Sequence, residues 1–316
     1  MSHLLSVDAL SFSYGFQKRK FFKNVVGNPA LVDVSFELAE GESLGIVGES
    51  GSGKSTLARL LLRLLQPNQG QILYRSQDAF SKAYKRRDYA KCVQLIFQDP
   101  LSSLNPRRTV LQTLMEVLVF HQKSAPKKNI QAQAINLLSE VGLNESSSAH
   151  YPHELSGGQR QRLAIARALA VRPELLVADE VVSALDVSVQ AQIIQLIQTL
   201  LKEHELSLIF ISHDLAVVQQ LTSTTLVMFQ GRIVEILPSE KLDQARHPYT
   251  QSLLKAIPVL DPRQRRTHSM CLDREVSLSG CPFLSRCNIS STRCQDDIPP
   301  LINIGKNQKI ACWNAE

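Results

Sequence analysis

The sequence of 316 residues contains no uninterrupted apolar run near the roughly 18–20 residues that a membrane-spanning helix requires. Its first residues lack the basic segment followed by an apolar stretch that marks a secretory signal. Internal repeats and long low-complexity segments are also missing. We therefore expect a cytosolic protein that reaches a membrane only through a partner or a surface.

Aromatic residues are scarce, at 6%, and the net charge at pH 7 is a moderate +6. The basic residues are scattered, and their small clusters are not interleaved with aromatic side chains as in many nucleic-acid-binding surfaces. We expect solvated surface and no nucleic-acid partner. The length allows one large domain with an appendage, or two domains.

Cysteine is almost missing from the first part of the chain, where Cys92 stands alone. The other five crowd into the tail: Cys271, Cys281, Cys287, Cys294 and Cys312. From Pro238 the composition also shifts towards prolines, charges and cysteines. This asymmetry predicts a main domain over residues 1–237 and a separate C-terminal extension over residues 238–316.

A glycine-rich stretch from Gly48 to Ser55 has the pattern G-x-x-x-x-G-K-[ST], between an apolar predicted strand and a predicted helix. Backbone N–H groups at such a helix start can converge on phosphate oxygens. Lys54 offers a positive charge to the β- and γ-phosphates, and the Ser55 hydroxyl can ligate Mg²⁺. We predict a nucleotide site formed by Gly48, Glu49, Ser50, Gly51, Ser52, Gly53, Lys54, Ser55 and Thr56.

Predicted strands alternate with predicted helices along most of the chain, which favours an α/β fold with a mainly parallel sheet. One short apolar strand, Leu175 to Ala178, ends in two acidic residues. Asp179 can hold Mg²⁺, directly or through water, if this strand neighbours the glycine-rich loop. Glu180 can orient an attacking water and take its proton. The alternative is an ordinary acidic strand end.

A pair of glycines opens another predicted helix in the segment Leu-Ser-Gly-Gly-Gln at residues 155–159. Such glycines let backbone amides approach an anion, although a simple helix cap is the alternative. The segment resembles the signature sequence of ATP-binding cassette (ABC) ATPases, and residues 183–186 resemble their D-loop. The resemblance covers Leu4 to about Ile236. It implies a P-loop NTPase core with an N-terminal antiparallel β subdomain, an inserted helical signature subdomain at about residues 100–170, and the small cysteine-containing C-terminal extension.

The resemblance also implies roles for individual residues. Gln98 resembles the Q-loop glutamine, His213 the switch histidine, and Tyr14 the aromatic residue that stacks on adenine. The implied catalytic set is Lys54, Gln98, Glu180 and His213, and the implied Mg²⁺ ligands are Ser55, Gln98 and Asp179. The alternative for His213 is a capping or buried histidine, and for Tyr14 a core aromatic residue.

In the family, the signature of one subunit completes the ATP site of another. The resemblance therefore implies a head-to-tail pair in which one signature acts on the partner's ATP, with Ser156, Gly157, Gly158 and Gln159 as the signature residues. Residues 97–107 and 247–254 resemble the ATPases that energise bacterial oligopeptide and dipeptide import. Within that subfamily, the long basic loop after Tyr14 and residues 182–186 resemble the second ("F") type. This implies a paralogous ATPase partner, two membrane-spanning permeases, an extracytoplasmic solute-binding protein, and a peripheral position at the cytoplasmic face of the cell membrane.

The tail cysteines also resemble that subfamily, in which some members hold an iron–sulfur cluster. Four thiolates at Cys281, Cys287, Cys294 and Cys312 suit a cluster or zinc, and separate reduced thiols are the alternative.

One residue departs from the subfamily: Val181 stands where proline usually follows the two acids. Because valine can adopt an extended backbone, we expect activity to survive.

Two further functions remain open at this point. One is import of nickel or a metal chelate, which ATPases with similar motifs energise. Because the ATPase does not touch the cargo, its residues do not distinguish this function from peptide import. A soluble ABC ATPase acting on ribosomes or DNA is less favoured. The chain has one cassette, where ribosome-acting relatives usually carry two, and the segment from Gln98 to Leu155 is too short for long coiled coils.

Overall fold

Two β-sheets and a set of flanking helices make up the described part of the chain, residues 3–15, 27–82, 84–122, 125–256 and 280–315 of a computed structural model. The strands are β1 His3–Tyr14, β2 Asn28–Ala39, β3 Ser43–Val47, β4 Gln69–Tyr74, β5 Gln77–Asp78, β6 Val93–Ile96, β7 Leu175–Asp179, β8 Ser207–Ile211, β9 Thr224–Phe229, β10 Arg232–Pro238, β11 Ile302–Gly305 and β12 Gln308–Ile310. The helices are α1 Lys54–Leu61, α2 Arg86–Cys92, α3 Pro100–Ser103, α4 Val110–His121, α5 Lys127–Glu140, α6 Gly157–Leu169, α7 Val187–Glu203, α8 Leu215–Leu221, α9 Pro248–Lys255 and α10 Arg293–Asp296. Short 3₁₀ turns lie at Glu145–Ala149, Pro152–Glu154, Ser239–Gln244 and Leu284–Arg286.

The larger sheet has eight strands in the order β11-β12-β10-β9-β3-β8-β7-β6. Strands β9, β3, β8, β7 and β6 pair in parallel, whereas β10, β12 and β11 pair antiparallel at one edge. The central strands β3, β7 and β8 are nearly all apolar and buried, because helices cover both faces of a parallel sheet. The expected α/β fold with a mainly parallel sheet is therefore confirmed.

The smaller sheet is antiparallel, with the order β2-β1-β4-β5. Its buried side chains share one core cluster with α1 and the nearer face of the large sheet. This is the expected N-terminal β subdomain. The basic loop that follows β1 falls largely on residues 16–26, outside the described residues.

Between β6 and β7 the chain forms four helices, α3 to α6. Thr109 and Gln112 form a reciprocal capping box at the start of α4, which fixes where that helix begins. The apolar faces of α4, α5 and α6 bury Leu114, Leu138 and Leu163 together in the second core cluster. This is the helical insert that the resemblance implied.

The described part of the predicted C-terminal extension packs against the rest of the chain and lengthens its large sheet. Strand β12 pairs with β10, placing Ile310 opposite Glu235, and β11 then pairs with β12. The periodicity of the tail did not predict these strands, because each is only three or four residues long. None of the helices in the described ranges has the length and apolar character needed to cross a bilayer.

Candidate nucleotide site

The glycine-rich loop joins the end of β3 to the start of α1 and passes close to other backbone. Gly53, the residue before α1, has a φ of +104°, and a Cβ there would lie 2.6 Å from the carbonyl oxygen of Ala30. Gly48 has a φ of +153°, and its Cβ would lie 2.2 Å from the carbonyl oxygen of Met228. Only glycine fits both positions, so β2 and β9 hold the loop from two sides.

The Lys54 ammonium group points back into this loop. Its Nζ donates to the carbonyl oxygens of Gly48 at 2.6 Å and Glu49 at 2.8 Å, and to the Ser52 hydroxyl at 3.3 Å. Burial lowers the pKa of Lys54, whereas the carboxylates of Glu180, Asp179 and Glu49 act to raise it. The amine is thus a buried donor held among loop oxygens, where phosphate oxygens can replace the carbonyls as acceptors.

Asp179 ends β7, and the Ser55 hydroxyl in the first turn of α1 lies near enough to its carboxyl group to act on its pKa. The two meet because β8 alone separates β7 from β3 in the sheet. Burial raises the pKa of Asp179 and Glu180 adds to the rise, whereas Ser55 and Lys54 oppose it. The buried Oδ1 of Asp179 has no hydrogen-bond partner. A hydroxyl beside an unpartnered carboxylate oxygen fits the oxygen ligands that Mg²⁺ prefers.

Glu180 lies at the meeting point of two other predicted residues. Gln98, which follows β6, donates from Nε2 to Glu180 Oε2 at 2.8 Å. His213, which follows β8, places Nδ1 3.5 Å from Glu180 Oε1. Glu180 itself has a φ of +49°, an uncommon conformation for a residue other than glycine. Three strand ends of the parallel sheet therefore bring one carboxylate, one amide and one imidazole together.

The residue that departs from the subfamily pattern, Val181, is 2% exposed and belongs to the core cluster of the helical insert. Its side chain therefore packs inward directly after Glu180.

Tyr14 lies at the end of β1 and is 43% exposed. Its hydroxyl is 3.2 Å from the Thr56 hydroxyl in α1, and its ring meets Phe12 edge-on with centroids 5.0 Å apart. An exposed aromatic ring thus lies beside the first turn of the helix that follows the glycine-rich loop, where an adenine could stack on it.

The signature residues lie at the exposed start of α6. Ser156 and Gln159 form a reciprocal capping box, so the hydrogen bonds described for their side chains stay within this helix start. A Cβ on Gly158 would lie 2.6 Å from Val189 of α7, so glycine allows α6 to pack closely on that helix. The helix cap, which was the alternative for this segment, is therefore present, and Ser156 and Gly157 also lie exposed at the surface.

Two residues that sequence reasoning did not assign also contact the glycine-rich loop. The Tyr249 hydroxyl accepts a hydrogen bond from the Glu49 backbone N–H at 2.8 Å. The Arg286 guanidinium binds both carboxylate oxygens of Glu49, at 2.7 and 2.9 Å. They lie 200 and 237 positions away along the chain, and no spacing pattern could have linked them to the loop.

The four cysteines Cys281, Cys287, Cys294 and Cys312 line one small cavity together with Trp313 and Asn314. Burial raises the pKa of the Cys281 and Cys287 thiols. Among the residues that the structure describes, no group of three or more cysteine, histidine or acidic side chains is arranged to hold a metal ion. Cys271 lies outside the described residues. The cysteines are therefore neighbours without the geometry of a metal site.

A parallel sheet with a glycine-rich loop between β3 and α1, and an acidic strand end two strands away, defines a P-loop nucleoside triphosphatase. The ABC transporter family matches residues 31–183, and the oligopeptide/dipeptide transporter C-terminal region matches residues 234–294.

Individual relatives extend these family matches over nearly the whole chain. The probable peptide ABC transporter ATP-binding protein y4tS of Sinorhizobium fredii is 45% identical, over 98% of this chain and 89% of the relative. The oligopeptide transport ATP-binding protein AppF of Bacillus subtilis is 42% identical, over 92% of this chain and 91% of the relative. A dimeric ATP-binding cassette, MJ0796, solved with ADP and Pi, superposes with a TM-score of 0.64 at 26% identity, over 75% of this chain and 99% of that one.

The chain belongs to the ABC transporter family, as an ATP-binding subunit. The predicted family, fold and ATPase activity are therefore confirmed. Members of this family bind ATP with Mg²⁺, hydrolyse it and work with membrane permeases.

Proposed function

We propose that this ATPase energises import of dipeptides or oligopeptides across the cell membrane. The observation that carries the proposal is the match of residues 234–294 to the oligopeptide/dipeptide transporter C-terminal region, in a chain whose core is an ABC ATPase. The relatives y4tS and AppF, whose names specify peptide or oligopeptide transport, support the same cargo class.

Lys54 and the loop amides are proposed to hold the triphosphate. The ammonium group would exchange its loop carbonyl partners for β- and γ-phosphate oxygens, to which a charged donor binds more strongly. Ser55, Asp179 and Gln98 are the proposed Mg²⁺ ligands, supported by the nearness of the Ser55 hydroxyl to the Asp179 carboxyl group and by the unpartnered Asp179 oxygen. When bound, Mg²⁺ would neutralise charge on the phosphate oxygens.

Glu180 is the proposed base for hydrolysis. Its carboxylate accepts a hydrogen bond from Gln98, which fixes the orientation of one oxygen, and faces His213 with the other. A carboxylate so held can orient a water for attack on the γ-phosphate and accept its proton. His213 would contact the γ-phosphate region, and the exposed Tyr14 ring would stack on adenine.

The signature residues are proposed to act on the nucleotide of a partner ATPase: Ser156, Gly157, Gly158 and Gln159. The exposed start of α6 supports this role, as does the similarity to a cassette solved as a dimer. We propose a paralogous ATPase as the partner, together with two permeases and an extracytoplasmic solute-binding protein. These partners would place the chain at the cytoplasmic face of the membrane. We also propose that the boundary between the main domain and the C-terminal extension lies near residue 238.

The C-terminal cysteines carry a separate proposal. We propose that Cys281, Cys287, Cys294 and Cys312 bind zinc or an iron–sulfur cluster: they share one cavity, but their side chains would have to turn into ligand positions that they do not take in the described structure. Metal content and visible absorbance of the purified full chain test it. The control is a variant with all four cysteines changed to serine. If the wild-type chain shows no more metal and no more visible absorbance than this variant, the cysteines are separate reduced thiols.

The cargo is tested by uptake of labelled dipeptides, oligopeptides and nickel ions in cells with and without the gene. We expect peptide uptake to be lost on deletion and restored by the wild-type chain but not by Lys54→Ala. Lys202→Ala, which removes an exposed charge from the end of α7, is the matched control and should restore uptake. Loss of nickel uptake alone would contradict the peptide assignment.

A further inference from the structure

One contact between the C-terminal extension and the phosphate-binding loop is an ion pair. Arg286 ends the 3₁₀ turn Leu284–Arg286, and its two terminal nitrogens lie 2.9 and 2.7 Å from the two carboxylate oxygens of Glu49. The side chains are 28% and 40% exposed, so the pair is partly shielded from water. Such a two-point contact fixes orientation as well as charge.

The ion pair is held by a packed aromatic group. The Arg286 guanidinium lies over the rings of Phe229 and Phe283, 5.9 and 5.4 Å from their centroids. Tyr249 packs on both rings with centroids 4.5 and 5.5 Å away, and it is 0% exposed. Since the Tyr249 hydroxyl also accepts the Glu49 N–H, the extension holds both the backbone and the side chain of this loop residue.

The charge of Glu49 reaches the place where phosphates would bind. Its carboxylate acts to raise the pKa of Lys54, and its own carbonyl oxygen accepts a hydrogen bond from the Lys54 ammonium group at 2.8 Å. An unpaired carboxylate in this position would repel a triphosphate. The guanidinium of Arg286 offsets that repulsion.

We propose that Arg286 is a positioning residue for ATP: the C-terminal extension neutralises and orients Glu49, and thereby sets the affinity of the loop for the triphosphate. The inference rests on the proposed role of Lys54 and its loop in holding phosphates. It makes the extension part of the nucleotide site, although Arg286 itself need not touch ATP.

The test is titration of the purified full chain with ATP and Mg²⁺, comparing Arg286→Gln, Glu49→Gln and the double variant. Arg286→Gln should raise the dissociation constant for ATP by about three- to tenfold, because it leaves the Glu49 charge uncompensated. The double variant should recover most of this loss, since the repelling charge is gone. Arg286→Lys keeps the charge but loses the two-point contact with Glu49, so its dissociation constant for ATP should lie between those of wild type and Arg286→Gln.

Arg293→Gln is the matched control, because Arg293 lies over Trp313 in the same extension, 3.5 Å from its ring centroid. It should leave ATP affinity unchanged. Melting temperatures of all variants separate loss of folding from loss of binding. Unchanged affinity in Arg286→Gln would overturn the inference, as would a double variant that binds as weakly as Arg286→Gln. If wild type binds ATP no better than Lys54→Ala, the proposed phosphate-binding role of Lys54 fails instead.

Discussion

Glu180→Gln should separate ATP binding from ATP hydrolysis. The glutamine side chain has the same shape, and its amide oxygen can still accept the hydrogen bond that Gln98 now donates at 2.8 Å. Since the contact survives, we expect the free energy of unfolding to change by no more than about 0.5 kcal/mol. Removing a general base typically costs about 10²- to 10⁴-fold in rate, and we expect turnover to fall in that range.

The affinity of Glu180→Gln for ATP should rise although its turnover falls. The Glu180 carboxylate acts to raise the pKa values of both Lys54 and Asp179, so its negative charge is felt throughout the phosphate site. Its side chain is 24% exposed, so part of this effect is screened by solvent. Removing one negative charge here should favour ATP binding by about 1 kcal/mol, which is about fivefold in dissociation constant.

The measurements are phosphate release and the dissociation constant for ATP with Mg²⁺. Glu203→Gln, at the exposed end of α7, removes the same charge away from the site and should change neither quantity. Phosphate release by Glu180→Gln at the wild-type rate would refute the role assigned to Glu180. Weaker ATP binding at an unchanged melting temperature would refute the electrostatic argument.

Two further predictions concern stability without nucleotide. Gly53→Ala should cost about 3 kcal/mol or more, because it adds a clash with the Ala30 carbonyl, 2.6 Å from the new Cβ, to the strain of a positive φ. Gly51→Ala is the control: at φ +81° and with nothing within 4 Å of the new Cβ, it should cost only about 1–2 kcal/mol. If urea unfolding shows the same cost for both variants, the clash between position 53 and the Ala30 carbonyl is not what makes Gly53 necessary. Burial lowers the pKa of His247 from 6.5 to about 4, so protonation favours the unfolded chain and stability should fall by up to about 3 kcal/mol as the pH drops from about 6.5 towards 4. His247→Asn, whose side-chain oxygen can still accept the Tyr249 N–H, should remove most of that pH dependence of the urea midpoint; an unchanged slope would assign it to other groups.

The short motifs were predictable because each is a local geometry. A strand, a turn requiring positive φ and a helix start lie within a few residues of each other. The pattern from Gly48 to Ser55 is therefore enough to predict the local conformation of the loop. The same holds for the two acids at the end of β7 and for the capping box at Ser156. These segments determined the class of protein and the residues that we predict to surround the phosphates.

The order of the strands decided what those motifs meet. Gln98, Glu180 and His213 converge because β6, β7 and β8 are parallel neighbours whose carboxyl ends lie at one edge of the sheet. The acidic strand end predicted Glu180, and the family resemblance predicted Gln98 and His213. Periodicity alone does not encode strand order, so the contacts among them came from the tertiary structure.

The contacts of the C-terminal extension came from the tertiary structure alone. Strands β11 and β12 are too short to show a period, and they form because β10 offers them an edge. Arg286 and Tyr249 meet Glu49 across more than half of the chain, through packing of the extension on the sheet. The sequence by itself determined where phosphates would bind, whereas only the packing of distant segments decided which side chains hold that loop in place.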